Sequence, residues 1–192
     1  MIYSDLILWL ACQESNRIEG ESITGLSFNN HYRAALLART SATHKQLLHP
    51  LVLHQLLFED IPIGEEFQQV LKLGDYRPMG MNVYVKQEDG SNHRFPDSMR
   101  VPALMEAWWA EWCNSPDIDS SLVRWWFHAW YEAIHPKYDG NGRVGRLLWW
   151  NMTMIAGQEL DVISYDGRVS YYRCLEAWRA DHCNKPDMNP FR

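Results

Sequence analysis

The spacing of apolar side chains along the chain predicts a mainly helical fold. Apolar residues recur every three or four positions through most of the chain, which aligns their side chains on one face of an α-helix. In residues 120–133, for example, Leu122, Trp126, Ala129 and Ala133 form one such stripe. The predicted helices are residues 2–18, 29–43, 45–59, 103–114, 120–133, 143–156 and 170–182, with Pro50 in the first turn of the third.

Residues 81–95 break this helical periodicity. Residues 81–87 (MNVYVKQ) place apolar and polar side chains alternately, which is the period of a β-strand. Asp89 and Gly90 follow as a turn-forming pair, and a second short strand of residues 93–95 ends at Pro96. The sequence therefore predicts a β-hairpin that projects from a helical body.

Composition and charge narrow the class of protein. A chain of 192 residues with 46% hydrophobic and 22% charged residues is expected to form one globular domain with a small flanking element. Its net charge of −6 argues against a broad binding surface for nucleic acid or for an anionic membrane. The four cysteines include no CxxC pair, so neither a structural zinc site nor a disulfide framework is expected.

The opening of the chain does not have the pattern of a signal peptide. Residues 1–10 are mostly apolar, but Asp5 interrupts them and no basic residues precede them. No apolar run reaches the ~18 residues that a membrane-spanning helix needs. We therefore expect a cytoplasmic protein that binds neither membranes nor nucleic acid.

Residues 135–146, with the sequence HPKYDGNGRVGR, connect two predicted helices and contain groups suited to binding phosphate. Gly140 and Gly142 allow a tight turn, and their N–H groups, with that of Asn141, lie where the second helix begins. A helix N-terminus has unpaired N–H donors and a partial positive charge. The start of this helix is therefore a candidate anion site of the phosphate type.

Four charged or titratable residues of the same loop extend this chemistry. Arg143 and Arg146 are three residues apart on the second helix, so both side chains can reach phosphate oxygens from one face. Asp139 offers a carboxylate for Mg2+ or Mn2+, which would share the phosphates as ligands. His135, whose ordinary pKa is about 6.5, is a candidate general base. The alternative is a plain tight turn with surface arginines, but that alternative does not explain why so many groups suited to phosphate binding occur together in this loop.

The loop resembles the signature of the Fic family, H-P-F-x-D/E-G-N-G-R-x-x-R. The matching positions are His135, Pro136, Asp139, Gly140, Asn141, Gly142, Arg143 and Arg146. Members of this family have a helical core with a β-hairpin flap and transfer AMP from ATP to a hydroxyl group of a protein. The resemblance implies a Fic-like helical bundle, ATP as substrate with Mg2+ or Mn2+, and a target protein modified at a Ser, Thr or Tyr hydroxyl.

The resemblance covers most of residues 50–180. It implies a flap at about residues 76–96, a catalytic loop at residues 135–146 and a helix that closes the adenine side. The residues that match outside the loop are Tyr76, Arg77, Val83, Tyr84 and Val85 in the flap, His128 before the loop, and Tyr171, Tyr172 and Glu176 on the adenine side. Residues 189–192 resemble the lead-in to another family helix, as expected of a chain that continues further.

Two positions depart from the family pattern. Lys137 stands where the family has a Phe that anchors the loop in the core. Either Tyr138 supplies that anchor or the Lys137 stem lies along apolar surface, and a loosely held loop would lower catalytic efficiency. Arg179 stands near the adenine side, where the family often has Asn.

Residues 15–20 resemble the inhibitory motif of the family, S/T-x-x-x-E-G/N. Ser15 and Glu19 are four residues apart on one helical face, and Gly20 follows them, which taken alone describes an ordinary helix end. The resemblance implies that residues 1–25 form an inhibitory helix segment and that residues 26–192 form the Fic domain. Glu19 would pair with Arg146, which otherwise holds the γ-phosphate, and the resting activity would be low.

The resemblance implies a protein adenylyltransferase, able to modify itself as well as a target protein, that Glu19 inhibits. Three alternatives stay open. Glu19 could position a water molecule that removes AMP from a modified protein, or the loop could transfer another group such as UMP or phosphocholine. The chain could also be a non-catalytic module that binds a nucleotide. A monomer and a homo-oligomer are both compatible with the sequence.

Overall fold

The structure is a computed structural model that describes residues 4–62, 75–87, 90–114 and 117–183. The chain ends discussed above, residues 1–3 and 189–192, lie outside the described residues. The architecture is mainly helical with one small antiparallel sheet, as the sequence predicts. The described helices are α1 (Asp5–Ile18), α2 (Gly25–Thr43), α3 (Pro50–Leu57), α4 (Val101–Asn114), α5 (Ser121–Ile134), α6 (Asn141–Ile155) and α7 (Arg168–His182). None of them is long and apolar enough to cross a membrane.

α6 is the central helix of the bundle. It packs against α1, α2, α3 and α5, and almost all of its side chains are buried. α5 packs in turn against α4 and α7, and the interface of α4 with α5 buries Trp108, Trp112 and Phe127. Because residues 135–140 join α5 to α6, the core fixes both ends of this connection.

The predicted and observed helix starts differ by one to three residues, except in two helices where the difference is larger. α2 begins at Gly25 rather than at residue 29, and α3 begins at Pro50 rather than at residue 45. Lys45 has a left-handed backbone with φ of 54°. Proline has no N–H to donate to a preceding turn, so Pro50 is suited to the first position of its helix. The predicted domain boundary after residue 25 falls at the first residue of α2.

The hairpin predicted by the alternating pattern is present. β1 (Tyr84–Lys86) pairs antiparallel with β2 (Asn92–Arg94), with Val85 opposite His93. Of the predicted turn pair, Asp89 lies outside the described residues, whereas Gly90 has the positive φ, 84°, that such a turn requires. Val83 precedes β1, and its carbonyl oxygen extends the pairing by accepting a hydrogen bond from the N–H of Phe95 at 3.1 Å.

Candidate active site

His135 lies at the C-terminal end of α5, where the chain leaves the helix. Its backbone is left-handed, with φ of 50°, and its carbonyl oxygen accepts a hydrogen bond from Arg77 Nε at 3.0 Å. The imidazole stacks on the ring of Phe95, with 4.1 Å between the ring centroids. Arg77 also donates to the carbonyl oxygens of Met81, at 2.8 Å, and of Pro96. One buried arginine therefore ties the base of the hairpin to the turn that carries the imidazole.

The imidazole of His135 is neutral at physiological pH. Burial lowers its pKa to about 3, and the positive charge of Arg77 acts in the same direction. Nδ1 has no hydrogen-bond partner among the described residues. A neutral imidazole has a lone pair that can accept a proton, and an anionic nucleotide bound beside it would raise its pKa towards neutrality. The ring is thus in the protonation state that a general base requires.

Lys137 anchors the loop in the core. Its side chain is buried, and its Nζ donates to the carbonyl oxygen of Asp75 at 2.7 Å and lies 5.1 Å from the centre of the Tyr76 ring. Burial lowers the pKa of the amine to about 7. Tyr138, the other candidate anchor, is exposed. The lysine stem, rather than the tyrosine ring, therefore fills the anchoring position.

Asn141 and Gly140 form the turn that leads into α6. The Asn141 side chain accepts a hydrogen bond from the N–H of Lys137 at 2.8 Å and donates to the carbonyl oxygen of Lys137 at 3.0 Å. Gly140 has a positive φ of 79°, and a Cβ there would meet the side chain of Phe58. The turn leaves the first N–H groups of α6 without partners from an earlier helical turn, which is the arrangement that binds anions.

The carboxylate of Glu19 lies at this helix start, against Arg146. Glu19 is the residue that follows α1, and its Oε1 accepts a hydrogen bond from Arg146 Nη2 at 2.6 Å. A Cβ at Gly142 would overlap the same oxygen, so glycine is needed for the carboxylate to approach the first turn of α6. A buried guanidinium therefore holds an anionic group of this chain beside the helix start.

The other two residues of the predicted inhibitory motif adjoin Glu19. Arg146 donates from Nε to Ser15 Oγ at 2.8 Å and from Nη2 to the carbonyl oxygen of Ser15 at 3.1 Å. Gly20 has a left-handed backbone, with φ of 72°, that turns the chain after Glu19. Ser15, Glu19 and Gly20 therefore lie together at the end of α1, and the first two contact Arg146.

Arg143 lies in a second ion-pair network that sequence reasoning missed. Its Nη2 is 3.4 Å from Asp139 Oδ1 and 3.3 Å from Glu21 Oε1, and its Nη1 donates to Ser27 Oγ at 3.3 Å. The sequence feature that could have indicated this network is Glu21, a second acidic residue two positions after Glu19. Both arginines of the loop are thus paired with carboxylates from the segment that follows α1.

A cavity of about 570 Å³ brings part of the predicted site together. Its lining includes Glu19, Val85, His135, Gly142, Arg146, Tyr171, Tyr172 and Glu176, and also Phe95, Glu132 and Arg179. Within the described chain, the predicted site residues outside this lining are Ser15, Gly20, Val83, Tyr84, Asp139, Gly140, Asn141 and Arg143. The cavity therefore joins the candidate base, one arginine and the residues predicted for the adenine side, whereas Asp139 and Arg143 do not line it. Sequence reasoning singled out neither Phe95 nor Glu132 as part of the site.

The two tyrosines of α7 are held in different ways. Tyr171 Oη is 2.9 Å from Nε2 of His128, the helical histidine noted in the sequence, and burial lowers the pKa of that histidine to about 3. Tyr172 Oη donates to the carbonyl oxygen of Ile18 at 3.4 Å. Tyr171 is thus bonded to α5, and Tyr172 connects α7 to the end of α1.

Asp139 is the candidate metal ligand. Its side chain is 56% exposed, and its Oδ1 accepts a hydrogen bond from the N–H of Gly140 at 2.5 Å. The described part of the chain contains no group of three or more His, Cys, Asp and Glu side chains that could hold a metal ion. Mg2+ is commonly bound by one or two carboxylates with substrate phosphates and water. Asp139 therefore fits a site that the phosphates of a nucleotide complete.

Residues 43–152 match the Fic/DOC family, and the chain belongs to that family. Two relatives, from Drosophila persimilis and Drosophila pseudoobscura pseudoobscura, are both named protein adenylyltransferase Fic. Each is 37% identical to this chain over 93 residues, a match that covers 46% of this chain and 17% of the relative. The matched region is thus less than a fifth of the length of these relatives.

Two solved structures share the fold. A Fic-domain-containing signaling protein from Bacteroides thetaiotaomicron has a TM-score of 0.72 and 20% sequence identity, covering 97% of this chain and 79% of that chain. A Fic family protein from Desulfovibrio desulfuricans G20 has a TM-score of 0.59 and 24% identity, covering 97% of this chain and 57% of that chain. At these identities the two structures support the fold alone.

Proposed function

We propose that the protein transfers AMP from ATP to a Ser, Thr or Tyr hydroxyl of a target protein, and that Glu19 inhibits this transfer. Membership of the Fic/DOC family and the names of the two Drosophila relatives support this type of reaction. The observation that carries the proposal is the Glu19 carboxylate, held by Arg146 at the start of α6 in the same cavity as the neutral imidazole of His135. An anion site beside a base is the combination that the reaction needs.

In this mechanism His135 accepts the proton of the target hydroxyl. The hydroxyl oxygen forms a bond to the α-phosphorus of ATP, and the bond from that phosphorus to the leaving pyrophosphate breaks. The N–H groups of residues 140–142 and the guanidinium groups of Arg143 and Arg146 stabilise the negative charge on the phosphates. Asp139 would hold Mg2+ or Mn2+, which would supply further positive charge to the phosphates.

Glu19 competes with the nucleotide for Arg146. A γ-phosphate would need the guanidinium donor that Glu19 already occupies at 2.6 Å. A triphosphate displaced from that donor would not align its α-phosphorus with the attacking hydroxyl, and a misplacement of ~1 Å can lower a rate about a hundredfold. In this proposal the segment before α2 is regulatory and the remainder of the chain is the catalytic domain.

The hairpin and α7 are assigned to binding of the target and of the nucleotide. Tyr84 and Val85 belong to a two-stranded sheet that Val83 precedes, and an extended target segment could add to the edge of such a sheet through backbone hydrogen bonds. The side chain of Tyr84 is exposed beside that edge. The residues assigned to the adenine side are Tyr171, Tyr172 and Glu176, which line the cavity from α7.

The test compares the wild-type protein with Glu19→Gly, using ATP labelled at the α-phosphate and either Mg2+ or Mn2+. We expect Glu19→Gly to label itself or lysate proteins at least about tenfold faster than the wild type, because Arg146 becomes available to the nucleotide. Adding His135→Ala to Glu19→Gly should abolish labelling, because the base is removed. Glu106→Gly, which removes an exposed acid from α4, is the matched control and should label at the wild-type rate.

Each alternative has its own outcome in this assay. Absence of label with Glu19→Gly at every Mg2+ and Mn2+ concentration would contradict the proposal. Loss of label from a pre-modified target, dependent on Glu19, would assign the removal of AMP instead. Transfer of a labelled group from UTP or CDP-choline, but not from ATP, would assign another transferred group. ATP binding that His135→Ala leaves unchanged, without product from any variant, would assign a non-catalytic module.

A further inference from the structure

Glu132 places a buried carboxyl in the wall of the cavity without a partner for one of its oxygens. It lies in the last turn of α5, three residues before His135, and its side chain is 6% exposed. Its Oε1 has no hydrogen-bond partner within the described chain, and the residue lines the cavity. Burying a polar group without a hydrogen bond destabilises a fold. Oε1 itself has almost no accessible surface, so a group that enters the cavity would meet the other oxygen of this carboxyl.

Gly145 makes room for this carboxyl against α6. A Cβ at Gly145 would overlap Glu132 Oε1, so the carboxyl lies directly against the backbone of α6, one residue before Arg146. His135 and Arg146 line the same cavity as Glu132. A triphosphate bound between this imidazole and this guanidinium would share the cavity with the Glu132 carboxyl.

The surroundings of Glu132 favour its uncharged form. Burial raises its pKa to about 8, and the negative charge of Glu19 acts in the same direction, whereas the positive charges of Arg146 and Arg179 act against it. The charged and titratable groups that face it from the segment after α1 and from α5, α6 and α7 are Glu19, His128, Tyr131, Arg146, Tyr171, Tyr172 and Arg179. An uncharged carboxyl has one O–H donor, whereas a carboxylate only accepts.

We propose that Glu132 is a further nucleotide-binding residue, whose uncharged carboxyl donates a hydrogen bond to a phosphate oxygen of the bound nucleotide. This inference rests on the proposed function. A phosphate oxygen accepts hydrogen bonds and carries negative charge, so it is complementary to the protonated acid. An ionised Glu132 would repel the phosphate and would compete with it for Arg146, as Glu19 does. The affinity for the nucleotide is therefore highest below the pKa of this carboxyl and decreases as the pH rises above it.

The test measures the pH dependence of binding of α,β-methylene-ATP, an analogue that cannot donate AMP. Calorimetric titrations with MgCl2 compare Glu19→Gly, in which Arg146 is free, with the double variant Glu19→Gly and Glu132→Gln, whose amide keeps a donor but does not ionise. Removing Glu19 also removes a charge that raises the pKa of Glu132, so the Kd of Glu19→Gly should begin to rise below about pH 8 and increase by up to about tenfold per pH unit towards about pH 9. Ionisation of the nucleotide phosphates affects both proteins equally. Apart from this shared effect, the Kd of the double variant should change by less than about threefold.

The outcomes separate this inference from the proposed function. Parallel pH profiles for the two proteins would overturn the inference and leave the proposed function standing, whereas no binding by Glu19→Gly at any pH would overturn both. If the double variant does not fold, proton uptake decides the question. At about pH 8.5, titrations in buffers of different ionisation enthalpy should show Glu19→Gly taking up close to one proton as it binds the analogue, and no uptake would overturn the inference.

Discussion

At the scale of single residues, Lys137 makes the stability of the fold depend on pH. Its amine is buried against the carbonyl oxygen of Asp75, at 2.7 Å, and burial lowers its pKa to about 7. A lysine in the unfolded chain has a pKa of about 10.4. Between these two values the unfolded chain binds more protons than the folded one, so the free energy of unfolding rises with pH. The lysine is least favourable to the fold at and below neutral pH.

Replacing Lys137 by methionine tests this pH dependence. Methionine has a flexible apolar stem and no charge, but it leaves the carbonyl oxygen of Asp75 unpaired, at a cost of about 1–3 kcal/mol. We expect the free energy of unfolding of the wild type to rise relative to that of Lys137→Met by up to about 1.4 kcal/mol per pH unit between about pH 7 and about pH 10. Urea unfolding at several pH values measures this change. Lys86→Met, on exposed β1, is the control, and a pH-independent difference at Lys137 would contradict the argument.

At the scale of elements, the docking of α1 determines where Glu19 lies. Asn16 on α1 and His31 on α2 are both fully buried, and Asn16 Oδ1 is 2.6 Å from His31 Nδ1. Asn16 Nδ2 also donates to the carbonyl oxygen of Ser22 at 2.6 Å, beyond the turn at Gly20. One buried amide therefore joins α1 to α2 and holds the segment that carries Glu19.

Asn16→Ala should loosen this segment without changing Glu19 itself. We expect the free energy of unfolding to fall by about 1–3 kcal/mol, because one buried and one partly buried hydrogen bond are lost. AMP transfer should rise to a rate between those of the wild type and Glu19→Gly, measured with ATP labelled at the α-phosphate. Asn114→Ala, which removes an exposed amide that bonds within α4, is the control. A destabilised Asn16→Ala with wild-type activity would show that inhibition does not depend on the docking of α1.

At the scale of the whole molecule, buried histidines that stay uncharged in the folded chain lower its stability in acid. The pKa values of His54, His128 and His135 are each lowered to about 3, and that of His31 is lowered well below its ordinary value, mainly by burial. Below about pH 6.5 the unfolded chain takes up these protons and the folded chain does not, so stability decreases as pH falls. Glu132 acts in the opposite direction, because its raised pKa makes the folded chain the stronger proton binder between about pH 4.5 and about pH 8.

The histidines outnumber the opposing carboxyl, so we expect cooperative unfolding in mild acid. Each histidine contributes up to about 1.4 kcal/mol per pH unit, and the net slope of about 4 kcal/mol per pH unit is large beside a typical stability of about 5–15 kcal/mol. Circular dichroism should show a midpoint near about pH 5. His54→Gln should make the transition less steep, whereas His44→Gln, on the surface, should leave it unchanged. Retention of the fold at about pH 4 would contradict this expectation.

Most of the fold could be predicted because its patterns are local. The stripe on α5 and the alternation in β1 come from neighbours along the chain, and both elements are present. The start of α3 was predicted too early, although Pro50 was a local signal for it, because apolar periodicity continues before Pro50 and gives no sign of the left-handed backbone of Lys45. The anchoring role of Lys137 was likewise undecided, because it depends on Asp75 and Tyr76, which the fold brings to the loop.

The amino-acid sequence by itself determined which helices and hairpin form and which loop carries groups for phosphate chemistry, because these features depend on residues close together in the chain. The pairing of Glu19 with Arg146, 127 positions apart, was expected from a family resemblance and not from spacing. Only the tertiary structure decided that Glu21 meets Arg143 and that the Glu132 carboxyl lies against Gly145. Such contacts exist only once separate elements pack around α6, and no periodicity or local motif encodes that packing.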